Sequence, residues 1–205
     1  MTNTPSAVSP YSQACENNKT PILKLLIDAF ADRSAVLEIG SGTGQHAVHF
    51  AKTLTHLDWQ TADLPVNHAG INAWLAAKPS ANLKPPIAID LNEPCWPGEY
   101  DAAYSANTAH IVSWPLLQNM LKLVGENLPE GGIFALYGPF NYHGDFTSES
   151  NRAFDAMLRQ RDPASGIRNI EEVTQAALRH DLHLHQDHAM PANNRLLIWI
   201  KRSRE

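Results

Sequence analysis

An acidic residue and three glycines at every second position form the segment of this chain that is best suited to hold a ligand. The segment reads Glu38, Gly40, Gly42, Gly44, and it overlaps the end of the strand-like run Ala35–Ile39. Glycine lacks a Cβ, so the backbone at these positions can turn sharply or lie directly against a ligand. Where a strand gives way to a helix, unpaired N–H groups of the first helical turn also point at that ligand. The pattern therefore predicts a ligand-binding loop between a first strand and a helix.

The position of the third glycine helps to identify the ligand. Loops that bind dinucleotides follow the pattern G-x-G-x-x-G, in which the third glycine lets the helix pack on the strand. Gly40 and Gly42 fit that pattern, but position 45 is Gln45 and the third glycine comes one residue early. The acid in front of the loop, Glu38, also disfavours a pyrophosphate and favours a cationic ligand. S-adenosylmethionine is such a ligand, because it carries an ammonium and a sulfonium group and no phosphate.

Two further acids, Asp63 and Asp90, end the second and third predicted strands. Asp63 follows Gly40 by roughly 20 residues, the separation at which an acid meets the ribose hydroxyls of a nucleotide. In a parallel sheet these strand ends lie on one edge, so a single ligand could contact both acids. The alternative for each aspartate is a helix-capping role, which is common at such positions.

The loop and the acids together resemble a known family. The pattern Glu38-x-Gly40-x-Gly42-x-Gly44 is similar to the first motif of the class I S-adenosylmethionine-dependent methyltransferases. This resemblance implies S-adenosylmethionine as the cofactor and a Rossmann-like methyltransferase fold, and it implies that Asp90 lies beside the adenine amine. The residues expected to bind the cofactor are Glu38, Gly40, Ser41, Gly42, Gly44, His46, Asp63, Asp90 and Asn107.

Longer segments resemble one narrower family, the domain-of-unknown-function group that includes methyltransferase-like protein 26 of animals. The resemblance covers nearly the whole chain, through residues 16–23 (ENNKTPIL), 44–47 (GQHA), 137–140 (YGPF), 154–163 and 190–194 (MPANN). It again implies a methyltransferase fold with S-adenosylmethionine binding, and it implies no particular substrate.

Residues that follow the fourth and fifth predicted strands are placed to meet a methyl acceptor. Methyl transfer from a sulfonium needs mainly a well-positioned acceptor, and it needs a base only if the acceptor must lose a proton. His110 is predicted as that base or as an orienting group, because imidazole titrates near neutral pH. The alternative is that His110 packs against the helix that begins after Ser113, and the alternative for His46 is an ordinary position on a helix surface. The other predictions are Asn107 and Tyr137 for catalysis, and Phe140, His143 and Asn18 for the substrate pocket.

The elements that must position these residues alternate between strands and helices. Such alternation builds a parallel sheet with helices on both faces. The last two strands have no helix between them, so we expect an antiparallel hairpin there. The predicted fold is α/β, a doubly wound, mostly parallel seven-stranded sheet with a C-terminal antiparallel hairpin. The strands are predicted at residues 35–39, 58–62, 86–89, 102–105, 133–137, 182–187 and 196–201.

The ends of the elements complete the predicted organisation. Residues 1–205 are expected to form a single domain, in which residues 1–16 are a partly ordered N-terminal lid. Thr20 and Pro21 are predicted to start the first helix, because proline suits a first helical turn. Residues 138–150 are expected to be irregular.

The composition excludes several classes of function. A net charge of −5 argues against a broad basic surface, so no nucleic-acid partner is expected. The sequence contains no apolar run long enough to span a membrane. The two cysteines cannot make a disulfide framework, and the N-terminus is polar. Both features predict a reducing, cytoplasmic location. His183 and His185 share one face of a predicted strand, but without a third ligand no metal is expected.

The sequence thus predicts a cytoplasmic S-adenosylmethionine-dependent methyltransferase with an unidentified, small acceptor. One alternative is a non-catalytic binding or scaffold protein that retains the pocket. A second alternative is a nicotinamide-dependent oxidoreductase that uses the same glycine loop.

Overall fold

A seven-stranded sheet is the central element of the computed structural model, which describes residues 9–203. The sheet order is β3-β2-β1-β4-β5-β9-β8, and β6 and β7 form a separate pair. Every neighbour in the large sheet is parallel except β9, which runs antiparallel to β5 and β8. The predicted α/β fold with its C-terminal hairpin is confirmed. The strands are β1 (Ala35–Ile39), β2 (Asp58–Asp63), β3 (Leu83–Ala88), β4 (Ala102–Ala106), β5 (Ile133–Gly138), β6 (Phe140–Asn141), β7 (Arg168–Asn169), β8 (Leu182–Met190) and β9 (Asn194–Lys201).

Helices cover both faces of this sheet. Because side chains alternate along a strand, β5 supplies Phe134 and Leu136 to one core and Ala135 and Tyr137 to the other. The first core packs under α4 and α6, and the second packs under α1 and α2. The helices are α1 (Gln13–Ala29), α2 (Gln45–Thr53), α3 (Pro65–Ala77), α4 (Trp114–Asn127), α5 (Glu149–Arg161) and α6 (Ile170–Leu178).

The strand order reverses between β1 and β4. β2 and β3 extend the sheet on one side of β1, whereas β5 extends it on the other side of β4. The connections that leave β1 and β4 therefore diverge, and such a point leaves a crevice at the carboxyl ends of the strands. Gly40 follows β1 and Asn107 follows β4, so the predicted glycine loop lies at this crevice.

The first helix begins earlier than the sequence predicted. Ser12 is its N-cap, with Oγ accepting a backbone N–H at 3.3 Å, and Pro21 lies inside the helix instead of at its start. An internal proline removes one backbone hydrogen bond of the helix. Full burial of Ile22 and Leu26 against the sheet offsets that loss, which local propensity could not indicate.

The predicted lid falls only partly within the described chain. Residues 1–8 lie outside the described residues, and residues 13–16 form the first turn of α1. Between them, Pro10 packs against Gly70 of α3, and Trp74 Nε1 donates to the Pro10 carbonyl at 2.6 Å. The chain before α1 is therefore attached to α3 beside the crevice.

Two other segments differ from their predicted structure. Residues 138–150 are not wholly irregular, because β6 pairs in parallel with β7 and α5 already begins at Glu149. A bulge between Leu184 and Gln186 in β8 breaks the alternation that predicted His183 and His185 on one face. Within residues 9–203, no group of three or more His, Cys, Asp or Glu side chains is arranged to hold a metal ion. No helix in the same range combines the length and the hydropathy needed to cross a membrane.

Candidate functional site

A cleft of about 830 Å³ opens at the carboxyl ends of β1 and β4. Its walls are the start of α1, the glycine loop, the loop after β4, and α5 together with the β8–β9 turn. Among the described residues that line the cleft, Asp63 is the only aspartate, and glutamate, lysine and arginine are absent. A smaller apolar recess of about 150 Å³ adjoins the cleft, shares Gly40, Asp63 and Thr108 with it, and extends to Asp90. The two spaces form one elongated cavity with an acid at their junction.

The glycines of the loop serve two different purposes. A Cβ on Gly40 (φ 77°) would lie 2.7 Å from the Thr108 hydroxyl oxygen, so glycine allows the loops after β1 and β4 to meet. Gly42 lines the cleft and its φ is also positive. Gly44 (φ 85°) does not line the cleft, and a Cβ there would lie 3.2 Å from Ile71 Cα. Gly44 therefore brings α2 close to α3 and Gly40 brings two loops together, while the space beside Gly42 is open to a ligand.

Asp63 connects the glycine loop to the end of β2. Its Oδ2 accepts a hydrogen bond from Gly42 N at 2.7 Å. Its Oδ1 accepts hydrogen bonds from Leu64 N at 2.7 Å and from Asn67 Nδ2 at 2.8 Å. A carboxylate oxygen has two acceptor sites, so Oδ2 retains one for a hydroxyl group in the cleft.

Asp90 lies at the end of the recess and is exposed to solvent. Its Oδ1 accepts hydrogen bonds from Asn92 N at 2.9 Å and from Asn92 Nδ2 at 2.8 Å, which lower the pKa of Asp90. The recess beside it is bounded by the apolar residues Ile89, Leu91 and Leu116. Asp90 is therefore an ionised group at the open edge of an apolar slot.

Glu38 lies inside the sheet and is not one of the cleft-lining residues. Its side chain is 2% exposed, and Oε2 accepts a hydrogen bond from Trp59 Nε1 at 3.0 Å. Burial raises the pKa of Glu38 to about 7, because the carboxylate loses its hydration. Ser41, which does line the cleft, accepts a hydrogen bond from Ala62 N at 3.1 Å. Contact between Glu38 and a cofactor stays a prediction.

We expect Glu38→Gln to stabilise the protein, and to do so more strongly at high pH. The folded carboxyl keeps its proton up to a pKa of about 7, whereas the unfolded one loses it near 4.5. The free energy of unfolding contributed by Glu38 therefore falls as the pH rises between these values. Glutamine can still accept the Trp59 hydrogen bond and does not titrate.

Urea unfolding at pH 5 and pH 8.5 measures this effect. The advantage of the glutamine variant in free energy of unfolding should grow by about 2 kcal/mol between the two pH values. The same advantage at both values would show that Glu38 does not titrate in the folded protein in this range. Asp58→Asn, at the exposed start of β2, is the control.

Three buried polar side chains, Asn18, His46 and Tyr104, form a network at the cleft. Asn18 Oδ1 lies 2.6 Å from His46 Nε2, and the Tyr104 hydroxyl lies 3.4 Å from His46 Nδ1. An amide oxygen only accepts hydrogen bonds, so Nε2 carries the proton and Nδ1 accepts from Tyr104. Burial lowers the pKa of His46 to about 4, so this imidazole is neutral near pH 7. His46 is thus a buried residue at the cleft and not a helix-surface one.

Tyr137 lies beside the same network, at the end of β5. Burial raises the pKa of Tyr137 to about 12, and the nearby Asn18 side chain acts against that rise. Tyr137, Asn18 and His46 all contribute to the cleft wall. The predicted residues Asn18, His46 and Tyr137 are therefore brought together, and each is neutral at physiological pH.

His110 lies on the loop between β4 and α4. The loop starts at Asn107, which has φ 56° and donates its N–H to the Tyr137 carbonyl at 2.9 Å. The His110 side chain is 4% exposed in the cleft wall, with its ring edge-on to Phe154 at a centroid distance of 5.3 Å. Within the described chain its Nδ1 is buried without a hydrogen-bond partner, and burial lowers its pKa to about 4. Most buried polar atoms are hydrogen-bonded, so this nitrogen is an unusual feature of the cleft.

Two residues predicted for the substrate pocket do not reach the cleft. Phe140 is fully buried in the core under α4 and α6. His143 has an 87% exposed side chain, and its Nδ1 lies 3.3 Å from Glu171 Oε1. Pro139 still lines the cleft, but the pairing of β6 with β7 then carries the chain away from it. Both assignments are therefore corrected.

The cleft also contains residues that the sequence did not single out. Cys15 of α1, Thr108 of the loop after β4, and Asn151 and Phe154 of α5 all line it. Asn151 Nδ2 also donates to the Asn193 carbonyl at 3.1 Å, which connects α5 to the β8–β9 turn. Phe154 lies in one of the family-like segments, but no local pattern indicates which face of α5 points to the cleft.

Solved structures with a similar fold are methyltransferases of low sequence identity. An O-methyltransferase family protein from Burkholderia thailandensis aligns with a TM-score of 0.79 and 14% identity over 94% of this chain and 58% of that one. Human N-acetylserotonin methyltransferase, solved with S-adenosylmethionine, aligns with a TM-score of 0.78 and 12% identity over 93% and 53%. An O-methyltransferase family 2 protein from Planctomyces limnophilus, solved with apigenin, aligns with a TM-score of 0.72 and 17% identity over 94% and 62%. The chain spans little more than half the length of these proteins, and at such identities the likeness shows the Rossmann-like methyltransferase fold.

A family model matches nearly the whole chain. The match runs over residues 9–201 and is to the family described as protein of unknown function (DUF938). It includes the nine strands and six helices found among the described residues, together with the glycine loop, Asp63, Asp90 and His110. The chain therefore belongs to the DUF938 family.

Proposed function

We propose that this protein is an S-adenosylmethionine-dependent methyltransferase that acts on a small, uncharged acceptor. The observation that carries the proposal is the divided cavity at the carboxyl ends of β1 and β4. One part is an apolar recess with Asp63 and Asp90 at its two ends, and the other is a cleft with the neutral imidazole of His110 in its wall.

The residues present fit this cofactor. The recess between Leu91 and Leu116 suits an adenine ring, with the exposed carboxylate of Asp90 beside its amine. The remaining acceptor site on Asp63 Oδ2 suits a ribose hydroxyl, and the open space beside Gly42 leaves room for the rest of the cofactor. Described residues that line the cleft include no Lys or Arg to neutralise a pyrophosphate, which favours S-adenosylmethionine over a nicotinamide dinucleotide.

The chain's own residues would orient the acceptor and remove its proton. When bound, S-adenosylmethionine supplies a methyl group on a sulfonium, which is already activated for in-line attack. His110 would take up, on its neutral imidazole, the proton that a hydroxyl acceptor must lose when it receives that methyl group. A pKa of about 4 is sufficient, because a hydroxyl group that gains a methyl becomes a strong acid.

The character of the cleft wall restricts the acceptor. Beyond Asp63, the described lining residues are apolar, neutral polar or neutral histidine. Burial of a charge without a partner is costly, so a charged acceptor would bind poorly. A neutral imidazole of low pKa next to the cleft suits an acceptor with a hydroxyl group that loses a proton. Two structural neighbours are named for, or were solved with, the small molecules N-acetylserotonin and apigenin.

Finer features of the proposal rest on the sequence. The family-like segments support a relationship to the group that includes methyltransferase-like protein 26, and the composition supports a cytoplasmic location. A binding or scaffold protein would bind the cofactor but transfer no methyl group. A nicotinamide-dependent oxidoreductase would bind NAD instead.

Calorimetric titration with S-adenosylhomocysteine, and separately with NAD, tests the proposal. We expect S-adenosylhomocysteine to bind and to raise the free energy of unfolding by about 2.7 kcal/mol at 100 times its Kd, with no effect of NAD. Stabilisation by NAD alone would contradict the proposal. A screen with methyl-labelled S-adenosylmethionine against neutral phenols, alcohols and amines then separates an enzyme from a scaffold, because only the enzyme transfers label.

A further inference from the structure

The loop that carries His110 is held by an arginine from a distant part of the chain. Arg168 of β7 donates from Nε to the Ala109 carbonyl at 3.2 Å and from Nη2 to the Val112 carbonyl at 2.6 Å. Gly166 N donates to the carbonyl of His110 itself at 2.9 Å. Gly166 and Arg168 therefore bind the backbone of the loop at three carbonyls, that of His110 and those of Ala109 and Val112 on either side of it.

The segment that contains Arg168 is itself well fixed. Asp155 Oδ1 accepts a hydrogen bond from Ile167 N at 2.7 Å, and Asp155 Oδ2 forms an ion pair with Arg159 at 2.7 Å. A Cβ on Gly166 (φ 141°) would lie 2.6 Å from Arg159 Cζ, so a side chain there would displace this pair. Arg168 also pairs with β6 in the short two-stranded sheet. These contacts fix the backbone that carries the Arg168 guanidinium.

The imidazole of His110 depends on this backbone support for its orientation. Its Nδ1 has no hydrogen-bond partner in the described chain. Phe154 contacts one side of the ring, and a Cβ on Gly138 would lie 3.4 Å from Nδ1 on another side. With that nitrogen unpaired, ring orientation is set by packing and by the position of the loop backbone.

We propose that Arg168 is a positioning residue for His110, whose guanidinium holds the carbonyls of residues 109 and 112 so that the imidazole is kept in one orientation at the cleft. This inference rests on the proposed role of His110 in methyl transfer. Two nitrogens of one planar guanidinium bind two separate carbonyls, and the compact ammonium of a lysine cannot reproduce that geometry.

The charge of Arg168 acts in the same direction. Burial is the largest cause of the lowered pKa of His110, and the positive charge of Arg168 is the second. A nearby cation disfavours protonation of an imidazole. Arg168 therefore holds the loop and keeps its histidine in the neutral form that a base requires.

Three variants separate these effects. Arg168→Gln removes the guanidinium and its charge, Arg168→Lys retains a charge, and Arg161→Gln removes an equal charge from the exposed end of α5. NMR titration of the His110 imidazole and hydrogen exchange of the Ile111 and Val112 amides are measured with and without S-adenosylhomocysteine. We expect Arg168→Gln to raise the pKa of His110 and to accelerate exchange by roughly tenfold or more.

The other variants give the expected contrast. Arg168→Lys should leave the pKa of His110 near its original value while exchange still accelerates, and Arg161→Gln should change neither quantity. An unchanged pKa in Arg168→Gln, or unchanged exchange in both Arg168 variants, would overturn the inference. If Arg168→Gln does not fold, the exchange result for Arg168→Lys decides. Failure of the original protein to bind S-adenosylhomocysteine would contradict the proposed function alone, because both NMR measurements work without ligand.

Discussion

Replacement of Asp63 by alanine is expected to weaken S-adenosylhomocysteine binding by roughly 30-fold or more. The carboxylate is fixed by Gly42 N, Leu64 N and Asn67 Nδ2, which leaves one acceptor site on Oδ2 at the junction of cleft and recess. A hydrogen bond from a ligand hydroxyl to a charged group contributes about 2 kcal/mol, which corresponds to that change in Kd. The loss of the Gly42 hydrogen bond would loosen the loop and add to the effect.

Asp58→Ala is the matched control for this variant. Asp58 is the first residue of β2, at the opposite end of that strand from Asp63. Its exposed carboxylate pairs with Lys84 at 3.1 Å. Exposed ion pairs contribute little to stability, so this variant should bind S-adenosylhomocysteine like the original protein. Circular dichroism should show that Asp63→Ala still folds. An unchanged Kd in a folded Asp63→Ala variant would exclude the ribose assignment.

Replacement of His110 by alanine is expected to lower turnover by roughly 100-fold or more, the contribution typical of a general base. The imidazole is in the cleft wall with an unpaired Nδ1, and its pKa of about 4 leaves it neutral at the pH of the assay. The Kd of S-adenosylhomocysteine should stay within about twofold, because the two acids assigned to the cofactor, Asp63 and Asp90, lie on other loops. Turnover is measured with the acceptor that the labelled-methyl screen identifies.

The pH dependence of turnover gives a second test of His110. A base with a pKa of about 4 is already deprotonated at pH 5.5, so turnover should be flat from pH 6 to pH 8 and should fall only as the pH approaches 4. An inflection near 6.5 would mean that His110 titrates as an exposed imidazole does. His143→Ala is the control, since that side chain is 87% exposed and lies away from the cleft. Full activity of His110→Ala would remove its assigned role.

The sequence predicted the seven-stranded sheet and its C-terminal antiparallel hairpin well, because strand and helix patterns are local. β1, β2, β4 and β5 lie within a residue or so of their predicted bounds. The start of α1 and the pairing of β6 with β7 were missed. In both cases a tertiary contact, either burial of Ile22 or a partner strand far along the chain, overrides a local signal.

The candidate site divides in a similar way. Gly40, Gly42, Asp63 and Asp90 follow strand ends, and in a parallel sheet all such ends lie on one edge. Their arrangement along one cavity therefore follows from chain order. Phe140 and His143 also follow a strand, but the turn after Pro139 directs one into the core and the other to solvent.

By itself, the sequence determined a doubly wound sheet with a glycine loop and acids at its binding edge, because those features depend on local periodicity and residue type. Only the tertiary structure decided which side chains meet there. It buried Glu38 against Trp59 and connected His46 to Asn18 and Tyr104. It also brought Arg168 to the loop of His110, 59 positions away from Ala109. These contacts join distant segments through helix faces and short strand pairs, and their geometry is set by packing and not by any nearby pattern of residues.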